Sequence, residues 1–228
     1  MKQYLDYSDS RLRNGCILCY RQPDSRDHIP ARTFLEKPYP SNLHVLPVCT
    51  SCNNGLSQDE EYVSFLLKLI KHLETGDINE YLKMERFTHA DVLEKRILNG
   101  LSLSGDRPQS IPFLNIETNR IKNILHKYAF AHFCYERGEH PNGGATQIRF
   151  AFANQLTDYQ IRLFNEIMYS EIWPEVGSRL FQRIAENGDS WMIIQEGNHR
   201  YYVSQDQPYV KIVIFELLFA EIIFDENK

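Results

Sequence analysis

The spacing of apolar and polar residues predicts short strands near the start of the chain and a helix after them. The stretch "LHVLPV" at 43–48 is short and mostly apolar, which is typical of a buried strand. From Ser57 the apolar residues recur three and four positions apart, which predicts an amphipathic helix. Ser57 and Glu60 have the spacing of a capping box at its start. The predicted buried face consists of Tyr62, Phe65, Leu66, Leu69, Ile70 and Leu73.

The rest of the chain predicts further helices and then an antiparallel sheet. A second helix is expected over 78–99, followed by a loop with Gly and Pro in "LSLSGDRPQSIP". The stretch 117–138 predicts a long helix, apolar around most of its circumference and ended by Gly138. Thr157 and Gln160 suit the cap of another helix. Strands are expected at 146–153 and near 190–195, 199–204, 209–216 and 218–224, with a Gly197-Asn198 turn between the second and third.

These elements predict an α+β protein with two parts. Residues 1–56 are rich in Cys, Pro, Asn and Arg, and the remaining sequence is not. We therefore expect a small metal-dependent module over 1–62, joined without an obvious flexible linker to a mixed helical and antiparallel-sheet body over 63–228. The body contains no active-site pattern, and its role is left open.

Composition indicates a globular protein that buries a core. Of the 228 residues 43% are hydrophobic and 12% aromatic. The start "MKQYLDYSDS" lacks the features of a secretory signal, and the most apolar stretch, near the end, is interrupted by charges and shorter than the ~20 residues of a membrane span. We therefore expect a cytoplasmic protein with no membrane partner. In that compartment its five cysteines suit metal ligands or buried thiols better than disulfides.

The charge of the chain does not by itself indicate a nucleic-acid-binding protein. The net charge is −5; residues 1–56 carry seven Lys/Arg against five Asp/Glu, and the remainder carries 18 against 25. A polyanion would therefore have to contact a local basic surface.

Four cysteines form two C-x-x-C pairs with 29 residues between them, Cys16 with Cys19 and Cys49 with Cys52. Two such turns suit a tetrahedral zinc ion, because each directs two thiolates towards one point. The alternatives are two unrelated pairs, or a redox pair, although neither pair begins a βαβ unit. The second pair falls at the start of a helix, so a treble-clef arrangement is expected. Cys134, on the apolar helix, is interpreted as a small buried side chain.

The sequence within and just after this cysteine frame carries a second pattern. It reads "RDHIPARTFLEKPYPSNLHVLPVCTSCNN", with Asp27-His28 first, Asn42 before a strand, and Asn53 directly after the last cysteine. In this order the stretch over about residues 14–62 resembles the HNH endonuclease family, in its four-cysteine, zinc-stapled branch with a ββα-metal core. The "DEEY" at 59–62 is also similar to what some members carry at the helix start.

The resemblance implies a role for each of these residues. His28 would be the general base, since its ordinary pKa near 6.5 leaves it mostly neutral at cellular pH. Asp27 and Asn53 would bind one divalent cation, Mg²⁺ or alternatively Mn²⁺, and Asn42 would order the loop and orient His28. The products would carry 5′-phosphate and 3′-hydroxyl ends. Successive strand side chains point to opposite faces, so a twist or bulge is expected where Asp27 and His28 meet the phosphate.

Contacts to nucleic acid are less clearly marked. Many members carry a lysine shortly after "CN", where this chain reads "NGLSQ". Arg32, or else Arg26 or Lys37, is the candidate phosphate contact, and a solvated loop charge is the alternative. His44 is interpreted as a structural histidine, with a position near the site as the alternative. The basic residues of the 117–138 helix are interpreted as a solvated face, with contact to nucleic acid as the alternative; they are Arg120, Lys122, His126 and Lys127.

The predicted function is therefore metal-dependent hydrolysis of phosphodiester bonds, with double-stranded DNA as the expected substrate. The alternatives are a non-catalytic zinc module that binds nucleic acid or a protein partner, and an RNA-cleaving nuclease. In the non-catalytic case Asp27 would be a turn residue, Asn53 a helix cap and His28 a packed strand residue. By association with the family, a role in phage defence is expected, with an ATPase partner or self-association.

Overall fold

The computed structural model describes residues 14–41, 43–75, 116–141, 145–167 and 170–225. The predicted helix at 78–99 and the loop after it lie outside these residues, as do Asn42 and the side chain of Leu73. Elements are numbered below in chain order among the described residues.

The cysteine-rich part folds as two strands followed by two helices. Strand β1 (Ser25–Ile29) pairs antiparallel with β2 (His44–Val48), from Ser25 opposite Val48 to Ile29 opposite His44. A 3-10 turn lies between them, and α1 (Thr50–Gly55) and α2 (Ser57–Thr75) follow. Every residue of β2 is buried, which explains its nearly continuous apolar sequence. The strand predicted at 43–48 and the helix predicted from Ser57 are confirmed.

The start of α2 differs from the predicted capping box. The Ser57 hydroxyl donates to the carbonyl oxygen of Asn54 at 2.9 Å, and the Glu60 carboxylate binds Lys127. The spacing of Ser57 and Glu60 is that of a capping box, but Glu60 binds Lys127 from a distant helix instead of the backbone at the helix start. The capping-box prediction is therefore wrong.

A long helix, α3 (Thr118–Arg137), crosses the middle of the molecule. It is buried on most sides because it contacts β1, α2 and four strands of the larger sheet. Gly138 ends it with a left-handed φ of 70°, and its N–H donates to the carbonyl oxygen of Cys134 at 2.9 Å. The predicted apolar helix and its glycine stop are confirmed.

The larger sheet has five antiparallel strands in the order β3-β7-β6-β5-β4. Two short helices, α4 (Asp158–Asn165) and α5 (Arg179–Asn187), stand between β3 and β4 in the chain. Thr157 and Gln160 form the predicted capping box of α4. The predicted strands are confirmed, whereas α5 was not predicted. The strands are β3 (Ala145–Phe152), β4 (Met192–Gln195), β5 (His199–Val203), β6 (Tyr209–Ile214) and β7 (Leu218–Phe224).

One apolar core runs through both parts of the chain. It includes Leu46 of β2, Leu66 of α2, Tyr128 of α3 and Ile212 of β6. The boundary predicted after residue 62 therefore lies inside α2, a helix whose buried side belongs to this shared core. The fold is α+β with antiparallel sheets, as predicted. None of the helices within the described ranges has the length and apolar character of a membrane span.

Candidate functional site

The four predicted cysteine ligands lie together. Their Sγ atoms are all within 4.8 Å of one another, and those of Cys19 and Cys49 are 3.6 Å apart. A tetrahedral zinc site with bonds of about 2.3 Å has sulfur–sulfur distances of about 3.8 Å. None of the four is in a disulfide. The cluster can therefore hold one zinc ion, as the two C-x-x-C pairs predict.

Backbone hydrogen bonds shape both cysteine pairs. The N–H of Cys16 donates to the carbonyl oxygen of Arg21 at 2.7 Å, closing a turn in which Tyr20 has a left-handed φ of 64°. Cys49 is the N-cap of α1, so Cys52 lies in the first turn of that helix. The N–H of Ile17 donates to the carbonyl oxygen of Pro47 at 3.1 Å. The turn that carries Cys16 and Cys19, the end of β2 and the start of α1 thus meet at the four sulfurs.

The thiols differ in how readily they ionise. The backbone N–H of Arg21 lowers the pKa of Cys19 to about 7, while burial raises the pKa of Cys16 and that of Cys52. Cys19 is therefore the first of these three to become a thiolate. Because zinc binds thiolates, its binding would release protons from the others.

Asp27 and His28 occupy neighbouring positions on β1. The register between β1 and β2 is uninterrupted over all five described pairs, so no bulge is present there. The expected bulge is therefore absent, and the two side chains leave the strand on opposite faces. That strand twist brings both to one phosphate remains a prediction. Asp27 Oδ1 nevertheless accepts a hydrogen bond from the backbone N–H of His28 at 2.8 Å.

A buried lysine lies against Asp27. Lys127 Nζ, from α3, is 2.5 Å from Asp27 Oδ2 and 2.7 Å from Glu60 Oε1. The lysine side chain is fully buried, and each carboxylate side chain is 10% exposed. The Tyr128 hydroxyl donates to Glu60 Oε1 at 3.2 Å and accepts from the N–H of Ala31 at 3.0 Å. Helix α3 thus contacts both ends of the "DHIPA" segment.

Burial and charge act in opposite directions in this cluster. Burial disfavours the charged form of Lys127, but the adjacent Glu60 and Asp27 carboxylates outweigh it and raise the pKa of Lys127. Burial raises the pKa of Glu60, although Lys127 counteracts part of that effect. Lys127 is therefore an ammonium ion at neutral pH.

The expectation of a solvated basic face on α3 is wrong for Lys127, and Glu60 was not recognised as its partner. Position 127 lies three residues after Ile124 and four before Ala131, both of which are fully buried. A charged residue within that apolar stripe was the signal available in the sequence. It indicated a buried charge in need of a partner.

His28 contacts Arg32, the preferred phosphate contact. Arg32 Nη2 lies 2.9 Å from His28 Nε2. A guanidinium has only donors, so His28 Nε2 must accept, and the imidazole is neutral with its proton on Nδ1. Burial lowers the pKa of His28 and the Arg32 charge lowers it further, while Asp27 opposes both. The lone pair of Nε2 accepts the Arg32 N–H, so Arg32 must turn away before Nε2 can take a proton from another group.

The two asparagines of the pattern have different outcomes. Asn53 Nδ2 lies 3.2 Å from Ser25 Oγ and donates to it, which turns the amide oxygen away from that hydroxyl. Ser25 and Asp27 share one face of β1, so Asn53 lies along the face that carries Asp27. Asn42 lies outside the described residues. That these asparagines meet Asp27 and His28 at one ion remains a prediction. Arg26, the other candidate phosphate contact, is exposed on β1.

A second group of polar residues is buried away from this site. His44 is a buried structural histidine, stacked on Tyr135 with ring centroids 3.6 Å apart, and its Nδ1 has no hydrogen-bond partner. Beside it, His132 Nε2 and His199 Nε2 are 3.0 Å apart. All three histidines are buried in the shared core.

Comparison with known proteins adds no relative from which to transfer a role. No protein-family model, curated protein or solved structure matches the chain. The likeness to HNH endonucleases therefore rests on the cysteine spacing and on the residues described above.

Proposed function

We propose that this protein is a metal-dependent endonuclease that hydrolyses phosphodiester bonds in DNA, with His28 as the general base. The observation that carries the proposal is the contact between Arg32 and His28, in which Nε2 of a neutral imidazole is the acceptor. When Arg32 turns to a phosphate oxygen, the Nε2 lone pair becomes available as a base. This histidine follows Asp27 on a strand whose partner strand leads directly into the four-cysteine cluster.

Hydrolysis of a phosphodiester requires a base, a contact to the phosphate and ligands for the cation, and the chain offers a residue for each. His28 Nε2 takes a proton from the attacking water. Arg32 lies next to it, and a guanidinium suits an oxygen of the scissile phosphate because both its charge and its N–H groups match that anion. Asp27 and Asn53 supply the hard oxygen donors that Mg²⁺ and Mn²⁺ prefer.

The cation fits the donors that are present. Asp27 Oδ1 accepts the His28 N–H and Oδ2 contacts Lys127, yet each carboxylate oxygen has a second lone pair. A divalent ion bound there would stabilise the charge on the phosphate and on the departing 3′-oxygen. By resemblance, the products carry 5′-phosphate and 3′-hydroxyl ends.

The test is nicking of a supercoiled plasmid in Mg²⁺ or Mn²⁺ by the wild type, His28→Ala and His72→Ala. His72 lies on α2, outside the candidate site, and serves as the matched control. We expect nicking by the wild type and the control, and a rate lower by about 10²-fold or more in His28→Ala. Equal zinc content and circular dichroism would show that all three are folded. Cutting by His28→Ala at the wild-type rate would refute the assignment.

The second candidate is a non-catalytic zinc module that binds nucleic acid or a protein partner. It is favoured by the net charge of −5 and by the lysine already paired with Asp27. Wild-type protein that binds a duplex but leaves it intact in every metal would support it. Cleavage of single-stranded RNA in preference to DNA would assign the same chemistry to an RNA nuclease. A cytoplasmic location, phage defence and an ATPase partner are further proposals that only the resemblance supports.

A further inference from the structure

The charged groups at the candidate site balance one another. Asp27 and Glu60 carry two negative charges, and Lys127 and Arg32 carry two positive charges. Asp59, which precedes Glu60, pairs with Arg120 at 2.9 Å, and Arg120 also pairs with Glu117 at 2.8 Å, so these charges belong to a neighbouring cluster. A divalent cation in an oxygen site is normally held by a surplus of carboxylate charge. Asp27, Glu60, Lys127 and Arg32 together provide no such surplus.

Lys127 cannot easily leave to make room for the cation. Its ammonium contacts two carboxylates at 2.5 and 2.7 Å and its side chain is fully buried. Moving it away would leave two buried carboxylates without their counter-ion, which is strongly destabilising. The neighbouring Tyr128 holds α3 in place through its contacts with Ala31 and Glu60.

We propose that the divalent cation and the phosphodiester bind this site together, each of them weakly in the absence of the other, because Lys127 already neutralises Asp27. The inference rests on the proposed function for its assignment of Asp27 and Asn53 as cation ligands. The phosphodiester supplies the negative charge that the protein lacks and draws Arg32 to itself. Lys127 is a positioning residue in this scheme, since it acts on the cation through Asp27.

The scheme also gives the body of the protein a role at the site. Lys127 belongs to α3, which packs on the larger sheet, whereas Asp27 belongs to β1. The electrostatic balance at the candidate nuclease site is therefore set by a helix outside the cysteine-rich part. Coupling between cation binding and duplex binding is reciprocal. The cation must therefore raise the affinity for the duplex by the same factor as the duplex raises the affinity for the cation.

The first measurement is Mn²⁺ binding, followed by electron paramagnetic resonance, to the zinc-loaded His28→Ala variant with and without a short DNA duplex. This variant is expected to cut more slowly by about 10²-fold or more, so most of the duplex stays intact during the measurement. We expect the duplex to tighten Mn²⁺ binding by about tenfold or more, since it adds negative charge beside a dication. Equal Mn²⁺ affinity with and without the duplex overturns the proposal.

The second measurement removes the balancing charges without DNA. In the same background, Lys127→Met is expected to tighten Mn²⁺ binding by about tenfold or more. Lys122→Met removes the same charge from an exposed position on α3 and is expected to change Mn²⁺ affinity little. Arg32→Gln removes the other positive charge of the site, at a position outside the buried Lys127 cluster. If Lys127→Met does not fold, Mn²⁺ binding by Arg32→Gln tests the proposal. Folded variants that bind Mn²⁺ no better than Lys122→Met overturn the proposal.

Failure of this inference can be told apart from failure of the proposed function. Wild-type protein that binds Mn²⁺ and duplex cooperatively but never nicks DNA contradicts the nuclease and leaves the coupling intact. Wild-type protein that nicks DNA but binds Mn²⁺ equally well without it contradicts only the coupling.

Discussion

Acidification from pH 7 to pH 5 should destabilise this protein strongly, because three neutral histidines are buried in its core. His44 of β2, His132 of α3 and His199 of β5 lie together, and burial lowers the pKa of each. The pKa of His199 falls to about 3. In the His132–His199 pair one Nε2 must donate to the other. A further proton on the accepting Nε2 would set two N–H donors against each other and bury a positive charge between the rings.

The charged groups around the histidines do not relieve this penalty. Arg179 lowers the pKa of His44 further. Glu136, which could favour a cation, accepts from Tyr201 at 2.5 Å and is paired with Arg183 at 3.4 Å. The histidines are therefore expected to stay neutral in the folded protein well below their ordinary pKa.

The sign and size of the effect follow from the lowered pKa values. Between about pH 6.5 and the folded-state pKa of His199, about 3, the unfolded chain takes up a proton at His199 while the folded protein does not. The pKa values of His44 and His132 are lowered in the same direction. The stabilisation is complete above about pH 6.5 and is lost as the pH falls. At pH 5 His199 alone costs about 2 kcal/mol. His44 and His132 add to this loss, because their pKa values are also lowered well below the ordinary value. The loss from His199 is already a substantial part of the stability of about 5–15 kcal/mol of a typical protein.

The assay is urea unfolding at pH 7 and pH 5 for the wild type, His199→Gln and the control His72→Gln. We expect the loss of unfolding free energy to be smaller in His199→Gln by about 2 kcal/mol and unchanged in the control. Protonation of the cysteine cluster affects all three proteins and cancels in the comparison. If His199→Gln lost as much stability as the wild type, the reasoning from buried neutral imidazoles would be refuted.

Two further changes test the cysteine cluster and the contact between α3 and the "DHIPA" segment. Cys49→Ser should abolish binding of one zinc per chain and unfold the cysteine-rich part, because structural zinc contributes on the order of 10 kcal/mol or more; Cys134→Ser, at a buried thiol outside the cluster, should keep its zinc. Metal analysis and circular dichroism measure both, and full zinc content in Cys49→Ser contradicts the four-thiolate site. Tyr128→Phe leaves the Ala31 N–H without its acceptor and should cost about 1–3 kcal/mol in urea unfolding, whereas Tyr159→Phe, at an exposed tyrosine, should cost little. A Tyr128→Phe variant as stable as wild type would show that the contact contributes nothing.

The sequence predicted the secondary-structure features that depend on residues close together in the chain. The face of α2, the glycine stop of α3 and the capping box of α4 depend on residues a few positions apart, and all were predicted. Helix α5 was missed because it is short and its sequence "RLFQRIAEN" is mostly polar. The C-x-x-C pairs could be combined because a metal site has a known coordination number.

The pairings that define the site and the core could not be predicted in the same way. Glu60 and Lys127 are 67 residues apart in the chain, and so are His132 and His199. Sequence spacing shows that Lys127 falls on an apolar stripe, but it does not show which carboxylate meets it. The capping-box prediction for Glu60 failed for this reason, since two physically reasonable partners competed and the distant one prevailed.

The position of α3 has a consequence for how the protein would lose the proposed nuclease activity. This helix packs on the larger sheet on one side and holds Asp27 and the Ala31 backbone on another. A nuclease whose reacting groups sat on a separately folded appendage would fail in steps, with cutting lost before the bulk of the protein melts. In this protein the loss of cutting and the melting of the fold should coincide in a single cooperative transition. A fragment ending at residue 75 would retain the four zinc thiols while lacking Lys127, the ion-pair partner of Asp27.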